Sequence, residues 1–205
     1  MLKKTYSLLL FPLCCILLML SELGCQNKDS DKNNSTLDSL QVINYSNLGD
    51  SISAAAQQDL MGQLMAALKS KGPEYAVNFC SKRAIPITDS LSKKYECEIR
   101  RVAWRNRNPD NSLTEKDKVV YDEFAQALTE GNPLQSKLVQ QQKAILFYKP
   151  IVLGMPACLQ CHGKSEELNP MAYAAIQARY PEDKAIDFSM GDLRGMWKIT
   201  FSTKH

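Results

Sequence analysis

Two cysteines and a histidine lie within five residues in the segment MPACLQCHGK, residues 155–164. The pattern C-x-x-C-H is typical of covalent haem attachment, in which the thiols of Cys158 and Cys161 add to the haem vinyl groups and His162 binds the iron. A pair of thiols could also bind zinc or form a disulfide. Two further observations help to choose among haem, zinc and a disulfide. They are the compartment in which the protein functions and the other candidate ligands in the chain.

The first 24 residues predict export. Two lysines precede an apolar stretch, residues 8–20, that is short for a membrane span. The segment ends in ELGC, which resembles the lipobox of bacterial lipoproteins, although Glu22 stands where that pattern usually has leucine. We therefore expect residues 1–24 to be a lipoprotein-type signal peptide and Cys25 to carry the lipid. The alternative is ordinary cleavage and a soluble exported protein.

These features predict a lipid-anchored protein on the periplasmic side of the envelope of a Gram-negative bacterium. Gln26 stands where aspartate would indicate inner-membrane retention, which favours the outer membrane. The polar stretch behind Cys25 predicts a flexible tether over residues 25–48. The remainder, residues 49–205, is long enough for one domain and too short for two. Without the signal peptide the formal charge falls from +3 to +2, which favours neither a nucleic acid nor an acidic partner.

Seven cysteines and two histidines are present. Once the signal peptide and the lipid-bearing cysteine are set aside, four cysteines remain: Cys80, Cys97, Cys158 and Cys161. Four cysteines in an exported domain most often form disulfides, and four could also bind zinc. His162, directly after the second thiol of the pair, favours one covalent c-type haem, because neither zinc nor a disulfide requires a histidine there.

Hydrophobic periodicity predicts an α+β domain. Residues 51–72 and a segment that begins at Pro73 predict two N-terminal helices. A third helix follows a predicted capping box of Ser112 and Glu115. The segments CEIRRVAWR, SKLVQQQ, AILFYKPIVL and GMWKITFS predict strands, and NPMAYAAIQARYP predicts a short helix. This order predicts a small antiparallel sheet, with the C-x-x-C-H motif in a loop.

Four blocks in the same order carry a resemblance: AVNFCSKRAIPI, RRVAWRNRNPDN, YKPIVLGMPACLQCHGK and GDLRGMWKITF. They are similar to the family called domain of unknown function 3365, and the resemblance covers residues 52–203. That family is a c-haem-binding domain with a PAS-like sheet, found free-standing in the periplasm and as the sensory part of bacterial signalling proteins. The resemblance therefore implies a PAS-like fold and a c-type haem.

The resemblance also implies a sixth iron ligand, a cysteine in the second helix, and Cys80 in NFCSK occupies the matching position. A thiolate facing Fe(III) is stabilised by the charge of the metal. Cys80 could instead be a core thiol or pair with Cys97, and the other histidine, His205, lies at the C-terminus. Methionine is a further alternative, although core packing is the expectation for each candidate: Met61, Met65, Met155, Met171, Met190 and Met196.

Arg105 and Arg107 are candidates for binding the haem propionates, since a planar guanidinium binds a carboxylate through two hydrogen bonds. The alternative is that both are solvated turn residues. In the segment GDLRG, Asp192 and Arg194 could form a structural pair. Two aromatic residues could pack on the porphyrin or simply fill the core: Trp104 and Tyr148.

The axial ligands bear on function. A thiolate favours Fe(III) and lowers the reduction potential, whereas methionine raises it. If the bond from iron to cysteine weakens on reduction, the sixth position opens to a small gas or the helix shifts. We therefore expect a redox or gas sensor that acts through a separate signalling or redox partner. The alternatives are a small low-potential electron-transfer cytochrome and a haem-free domain held by zinc or disulfides.

An enzymatic function is not expected. The chain offers no distal histidine for peroxide activation, and a Ser/His/Asp set would require His162 or the terminal histidine. A glycine-rich phosphate-binding loop is also lacking from the sequence.

Overall fold

The computed structural model describes residues 37–203, so the predicted signal peptide, Cys25 and His205 lie outside the described residues. The protein is α+β, as predicted. Its elements are α1 Ser39–Tyr95, β1 Glu98–Val102, α2 Glu115–Thr129, β2 Lys137–Gln141, β3 Ala144–Val152, α3 Pro156–His162, α4 Pro170–Arg179 and β4 Leu193–Ser202. None of the helices in this part of the chain combines the length and apolarity that a bilayer span requires.

Two helical segments make up α1, and they meet at Gly72, whose φ of 77° and ψ of −176° are not helical. Glycine adopts a positive φ without steric cost, and proline is well tolerated as the first residue of the segment that follows. The two predicted N-terminal helices are confirmed in this form. Asp38 caps the first turn in a capping box with Gln41, so α1 begins earlier than expected. The tether predicted to reach residue 48 is therefore wrong for residues 39–48, which are helical.

The start of α2 is fixed by a capping box. The Oγ1 of Thr114 accepts a 3.2 Å hydrogen bond from the backbone N–H of Asp117. In return, the backbone N–H of Thr114 donates to Oδ2 of Asp117 over 3.0 Å. The predicted box of Ser112 and Glu115 is therefore wrong by two residues. The helix itself is confirmed, and it is fixed in place by its buried residues Val120 and Phe124.

The sheet has four antiparallel strands in the order β1, β4, β3, β2, so that β4 lies between β1 and the β2–β3 hairpin. One face packs against α1 through a cluster that contains Ile52, Ile99, Phe147, Trp197 and Ile199. The approach of α1 is close, since a Cβ added to Gly49 would lie 2.3 Å from the ring of Phe147. The other face packs against α2 through a second cluster: Val102, Val120, Phe124, Leu146, Tyr148, Leu193 and Met196.

A buried polar network lies beneath α2. The hydroxyl of Tyr148 donates a 2.8 Å hydrogen bond to Oδ1 of Asp117, and Nζ of Lys198 lies 2.7 Å from the same oxygen. Tyr148 is 1% exposed, so it belongs to the core and does not pack on a porphyrin. Trp104 is 57% exposed, with the ammonium of Lys118 5.3 Å from its ring centroid, and so is not a core residue.

Candidate functional site

The C-x-x-C-H motif lies on the short helix α3 rather than in the predicted loop. Pro156 begins this helix, and Gly163 follows its last residue. The backbone of Gly163 lies so close to the carbonyl oxygen of Leu159 that an added Cβ would be 2.6 Å from it. Residues three apart in a helix share a side, so Cys158 and Cys161 point the same way. Both thiols are partly buried. The motif therefore holds two neighbouring thiols on one short helix.

His162 is held by its Nδ1 atom, which lies 2.6 Å from the carbonyl oxygen of Ala185. A carbonyl oxygen only accepts, so Nδ1 is the protonated nitrogen of the ring. Burial lowers the pKa of His162 well below its usual value, and the cations of Arg194 and Arg107 lower it further. The imidazole is therefore neutral, with the lone pair on Nε2. This is the tautomer in which histidine binds a metal, and a backbone carbonyl on Nδ1 is a common way of fixing it.

The Ala185 carbonyl is itself fixed by an ion pair between Arg107 and Asp183. The guanidinium of Arg107 donates to Oδ2 of Asp183 over 3.0 Å, and the side chain of Asp183 has no exposed surface. The other oxygen of Asp183 accepts a 2.8 Å hydrogen bond from the backbone N–H of Ala185. Arg107 also donates to the carbonyl oxygens of Cys161 and Ala185, over 2.6 Å and 3.2 Å. One guanidinium thus connects α3 to the loop that orients His162.

Arg105 holds the same loop from the other side. It donates to the carbonyl oxygens of Lys184, Ile186 and Asp187, and its guanidinium carbon lies 4.0 Å from the ring centroid of Phe188. Neither Arg105 nor Arg107 is a freely solvated turn residue, because both use their N–H groups on protein acceptors. Propionate binding by these two arginines stays a prediction.

Cys80 lies in the second segment of α1, close enough to Cys161 for the two thiols to interact. Burial raises the pKa of its thiol, the cation of Arg101 lowers it, and the neighbouring Cys161 thiol raises it again. Such interactions act over short distances, so these groups are neighbours. One turn earlier, Val77 packs in a small apolar cluster with α4 residues, against which Cys161 also packs. The fold therefore brings Cys80 to the motif from 78 residues away in the sequence.

All four cysteines between residues 37 and 203 are free thiols. The disulfide considered for Cys80 and Cys97 is not formed, and Cys97 instead packs against the α1 face of the sheet. Burial raises the pKa of Cys97 to about 11. In the same part of the chain, no group of three or more His, Cys, Asp or Glu side chains is arranged to hold a metal ion. The zinc alternative therefore lacks a geometric basis among these residues.

Comparison with known protein families matches residues 27–202 to the Tll0287-like family. The chain belongs to the Tll0287-like family. The match covers most of the chain, including all four sequence blocks on which the family resemblance rested, and that recognition is confirmed.

The crystal structure of the cyanobacterial heme-protein Tll0287 is similar to this member of the Tll0287-like family, with a TM-score of 0.59. The two chains are 20% identical, and the match covers 82% of this chain and 99% of the other. At that identity the similarity establishes the fold. No curated protein matches the chain.

Two arginines that the sequence analysis did not assign to the site also lie here. The guanidinium of Arg194 is 5.5 Å from the ring centroid of Phe188, and it donates from Nη1 to the carbonyl oxygen of Arg105 over 3.1 Å. Its Nε is buried and has no hydrogen-bond partner among the described residues. Burial lowers the pKa of Arg194 to about 9, and the cations of Arg107 and Arg101 contribute. Asp192 accepts from the backbone N–H of Ser189 instead, so the suggested pair of Asp192 and Arg194 is not formed.

The second of these arginines is Arg101 on β1. The residue is exposed to solvent, while the protein around its guanidinium lowers its pKa. Cys80 and Tyr180 are close enough to interact with its charge. Strand alternation in CEIRRVAWR places Arg101 on the same side as Ile99, a signal that could have indicated its role.

Methionine ligation gains no support. Met196 is fully buried in the cluster on the α2 side of the sheet, away from α1. The expectation of core packing is wrong for four other methionines, which are at least 40% exposed: Met65, Met155, Met171 and Met190.

Proposed function

We propose that the protein binds one c-type haem through thioether bonds from Cys158 and Cys161, with His162 as an axial ligand of the iron. In each bond the sulfur adds to one vinyl carbon and the thiol proton goes to the other. The observation that carries this proposal is the tautomer of His162, whose Nδ1 is committed to Ala185 while Nε2 stays available. Haem proteins of the Tll0287 type supply the precedent, since the similar crystal structure is that of a heme-protein.

The residues around the motif fit such a group. A c-type haem needs two thiols for its thioether bonds, one or two axial ligands and partners for two propionates. Two thiols share one side of α3, and Cys80 is a third thiol beside them. The buried, unpartnered Nε of Arg194 is a donor that lacks an acceptor, which is unusual in a folded protein. A carboxylate at this position would satisfy it.

Cys80 is proposed as the sixth ligand. Its surroundings act in two directions, because burial disfavours the thiolate while the cations of Arg101 and Arg107 favour it. When bound, the haem supplies a one-electron couple between Fe(III) and Fe(II). A bound ferric haem would stabilise a thiolate at Cys80, and the lower charge of the reduced iron would favour protonation of the sulfur. The position of Cys80 would then depend on the redox state.

This dependence supports a redox or gas sensor. The segment that carries Cys80 begins after Gly72, where the helix geometry is broken, and we propose that a change of ligation moves this segment relative to the N-terminal part of α1. A sensor of this kind acts through a separate signalling or redox partner. The electron-transfer alternative requires that both ligands stay bound in both redox states.

Export, a lipid anchor at Cys25 and a location on the periplasmic side of the outer membrane are part of the proposal. They rest on residues 1–26 of the sequence. The lipid would tether the domain to the membrane, and no nucleic-acid or enzymatic role is proposed.

Optical spectra of the haem-loaded protein, oxidised and reduced with dithionite, distinguish the two roles. The sensor proposal predicts a thiolate-type ferric spectrum and a change of ligation on reduction, after which carbon monoxide binds. Unchanged six-coordinate ligation in both states, without carbon monoxide binding, would favour electron transfer. Cys97→Ala is the matched control, because Cys97 lies away from the motif, and it should leave both spectra unchanged.

A further inference from the structure

We propose that Arg101 and Arg194 form a two-carboxylate binding site, and that its ligands are the two propionate groups of the haem. The inference rests on the proposed function. It assigns propionate binding to Arg101 and Arg194 in place of Arg105 and Arg107, whose guanidinium groups hold the loop that orients His162.

The sheet places Arg101 on its α1 side. Arg101 lies opposite Trp197 in the register of β1 and β4, and its guanidinium carbon is 5.8 Å from the Trp197 ring centroid. Residues directly opposite in antiparallel strands point to the same face. Trp197 belongs to the cluster that packs on α1. Arg101 is therefore on the α1 side of the sheet, the side from which Cys80 approaches.

Arg194 lies at a β-bulge in β4. Ile151 pairs with Gly195 while Val152 pairs with Leu193, so Arg194 is the extra residue. Leu193 belongs to the cluster on the α2 side together with Met196, three residues away, which strict alternation would not allow. The bulge therefore frees Arg194 from the alternation of β4, and its guanidinium interacts with Tyr121 of α2 as well as with Arg101 and Arg107. Its contacts with Phe188 and Arg105 lie beside His162.

Positive charges outnumber paired carboxylates around Arg101, Arg107 and Arg194. Arg101, Arg107 and Arg194 are close enough for their cations to interact. Of these, only Arg107 has a carboxylate partner, Asp183; within residues 37–203 neither Arg101 nor Arg194 forms an ion pair. Asp183 interacts with Arg194 without forming an ion pair, so neither Arg101 nor Arg194 has a paired carboxylate, next to the ligands of a group that carries two carboxylates. The buried free N–H of Arg194 indicates where one carboxylate oxygen would lie.

The test compares haemin with its dimethyl ester, in which both carboxylates are blocked. The background protein carries Cys158→Ser and Cys161→Ser, so that both ligands bind reversibly through His162 and Cys80. Arg101→Gln and Arg194→Gln should each weaken haemin binding about tenfold, the loss expected for one charge-assisted hydrogen bond. Neither change should alter the affinity for the ester. Arg194→Lys keeps the charge and should recover part of the haemin affinity.

Arg100→Gln is the control, because Arg100 neighbours Arg101 on the opposite face of β1 and donates to the carbonyl oxygen of Asp110. It should bind both ligands as the background protein does. Equal losses for haemin and ester would mean that the arginines are merely structural, and no loss for either would also overturn the site. In both cases the haem proposal would stand. If neither ligand binds and the unmodified protein does not acquire covalent haem, the proposed function and this inference both fail.

The covalently loaded protein gives a second readout. Loss of a positive charge beside the haem favours Fe(III), so Arg101→Gln and Arg194→Gln should each lower the reduction potential while Arg100→Gln leaves it unchanged. Thermal melting monitored by circular dichroism identifies any variant that fails to fold. Folded variants with an unchanged potential would overturn the proposal.

Discussion

The carbonyl oxygen of Ala185 accepts a 2.6 Å hydrogen bond from Nδ1 of His162. The same carbonyl accepts from Arg107, and the backbone N–H of Ala185 donates to Asp183. The orientation of the proposed axial histidine is therefore set by the ion pair between Arg107 and Asp183. Arg107 lies 55 residues before His162 in the sequence, and Asp183 lies 21 residues after it. Such outer partners fix the tautomer of a metal-binding histidine and raise its basicity.

Asp183→Asn should lower the free energy of unfolding by about 3 kcal/mol, because it leaves the largely buried guanidinium of Arg107 without its counter-charge. Asp122→Asn is the matched control, since Asp122 forms an exposed ion pair with Lys118 that contributes less than about 1 kcal/mol. Urea denaturation measures both values. Equal, small losses for the two variants would show that the Asp183 pair does not hold the loop.

Gly72→Ala should destabilise the protein by about 1–3 kcal/mol, because the φ of 77° at this position is costly for any residue with a Cβ. No atom lies within 4 Å of an added methyl group, so the loss is one of backbone strain alone. Gly62→Ala provides the contrast, since Gly62 is inside the helix with open space around it and alanine should stabilise by about 0.5–1 kcal/mol. Two changes of the same sign would contradict the break at Gly72.

The Asp117 network should make stability fall in acid. Burial raises the pKa of Asp117, but hydrogen bonds from Lys198, Thr114 and Tyr148 outweigh it, and the net pKa is below its usual value. A carboxyl group with a lowered pKa in the folded state stabilises the fold above its unfolded pKa. That contribution is lost as the pH falls through the folded pKa. Asp117→Asn should reduce this slope of unfolding free energy between about pH 5 and pH 2, and an unchanged slope would assign it to other carboxylates.

Cys80→Ala should keep the haem attached while moving the Soret band and raising the reduction potential, because a thiolate ligand is lost. The attachment thiols are untouched by this change. A potential and a Soret band equal to those of the unmodified protein would mean that Cys80 is not an iron ligand.

The sequence predicted most of the elements, because their signals are local. The Pro73 start and the alternation in GMWKITFS correspond directly to the second segment of α1 and to β4. The first turns of α1 were not expected, since NNSTLDSL contains no apolar periodicity. The Asp38 capping box starts the helix there, and Leu37 and Tyr45 pack against the α1 face of the sheet. The predicted N-cap of α2 was wrong because Ser112 and Thr114 are each followed three residues later by an acidic residue, which is the spacing of a capping box.

The candidate site could be predicted only in part. C-x-x-C-H is a local motif, and the family resemblance pointed to Cys80. Asp183 lies in PEDKAIDF, where nothing local marks it, and its partner Arg107 is 76 residues away. Arg194 lies at a bulge that depends on pairing between β3 and β4. Contacts of this kind require the three-dimensional structure.

Covalent haem attachment is tested by the intact mass of the protein produced in a periplasm with haem-maturation machinery, alongside Cys158→Ser/Cys161→Ser and Cys97→Ser variants. The unmodified protein and the Cys97→Ser variant should each carry the mass of one covalent haem under denaturing conditions, and the double variant should carry none. An unmodified protein without added haem mass, in cells that mature a known c-type cytochrome, would contradict covalent attachment.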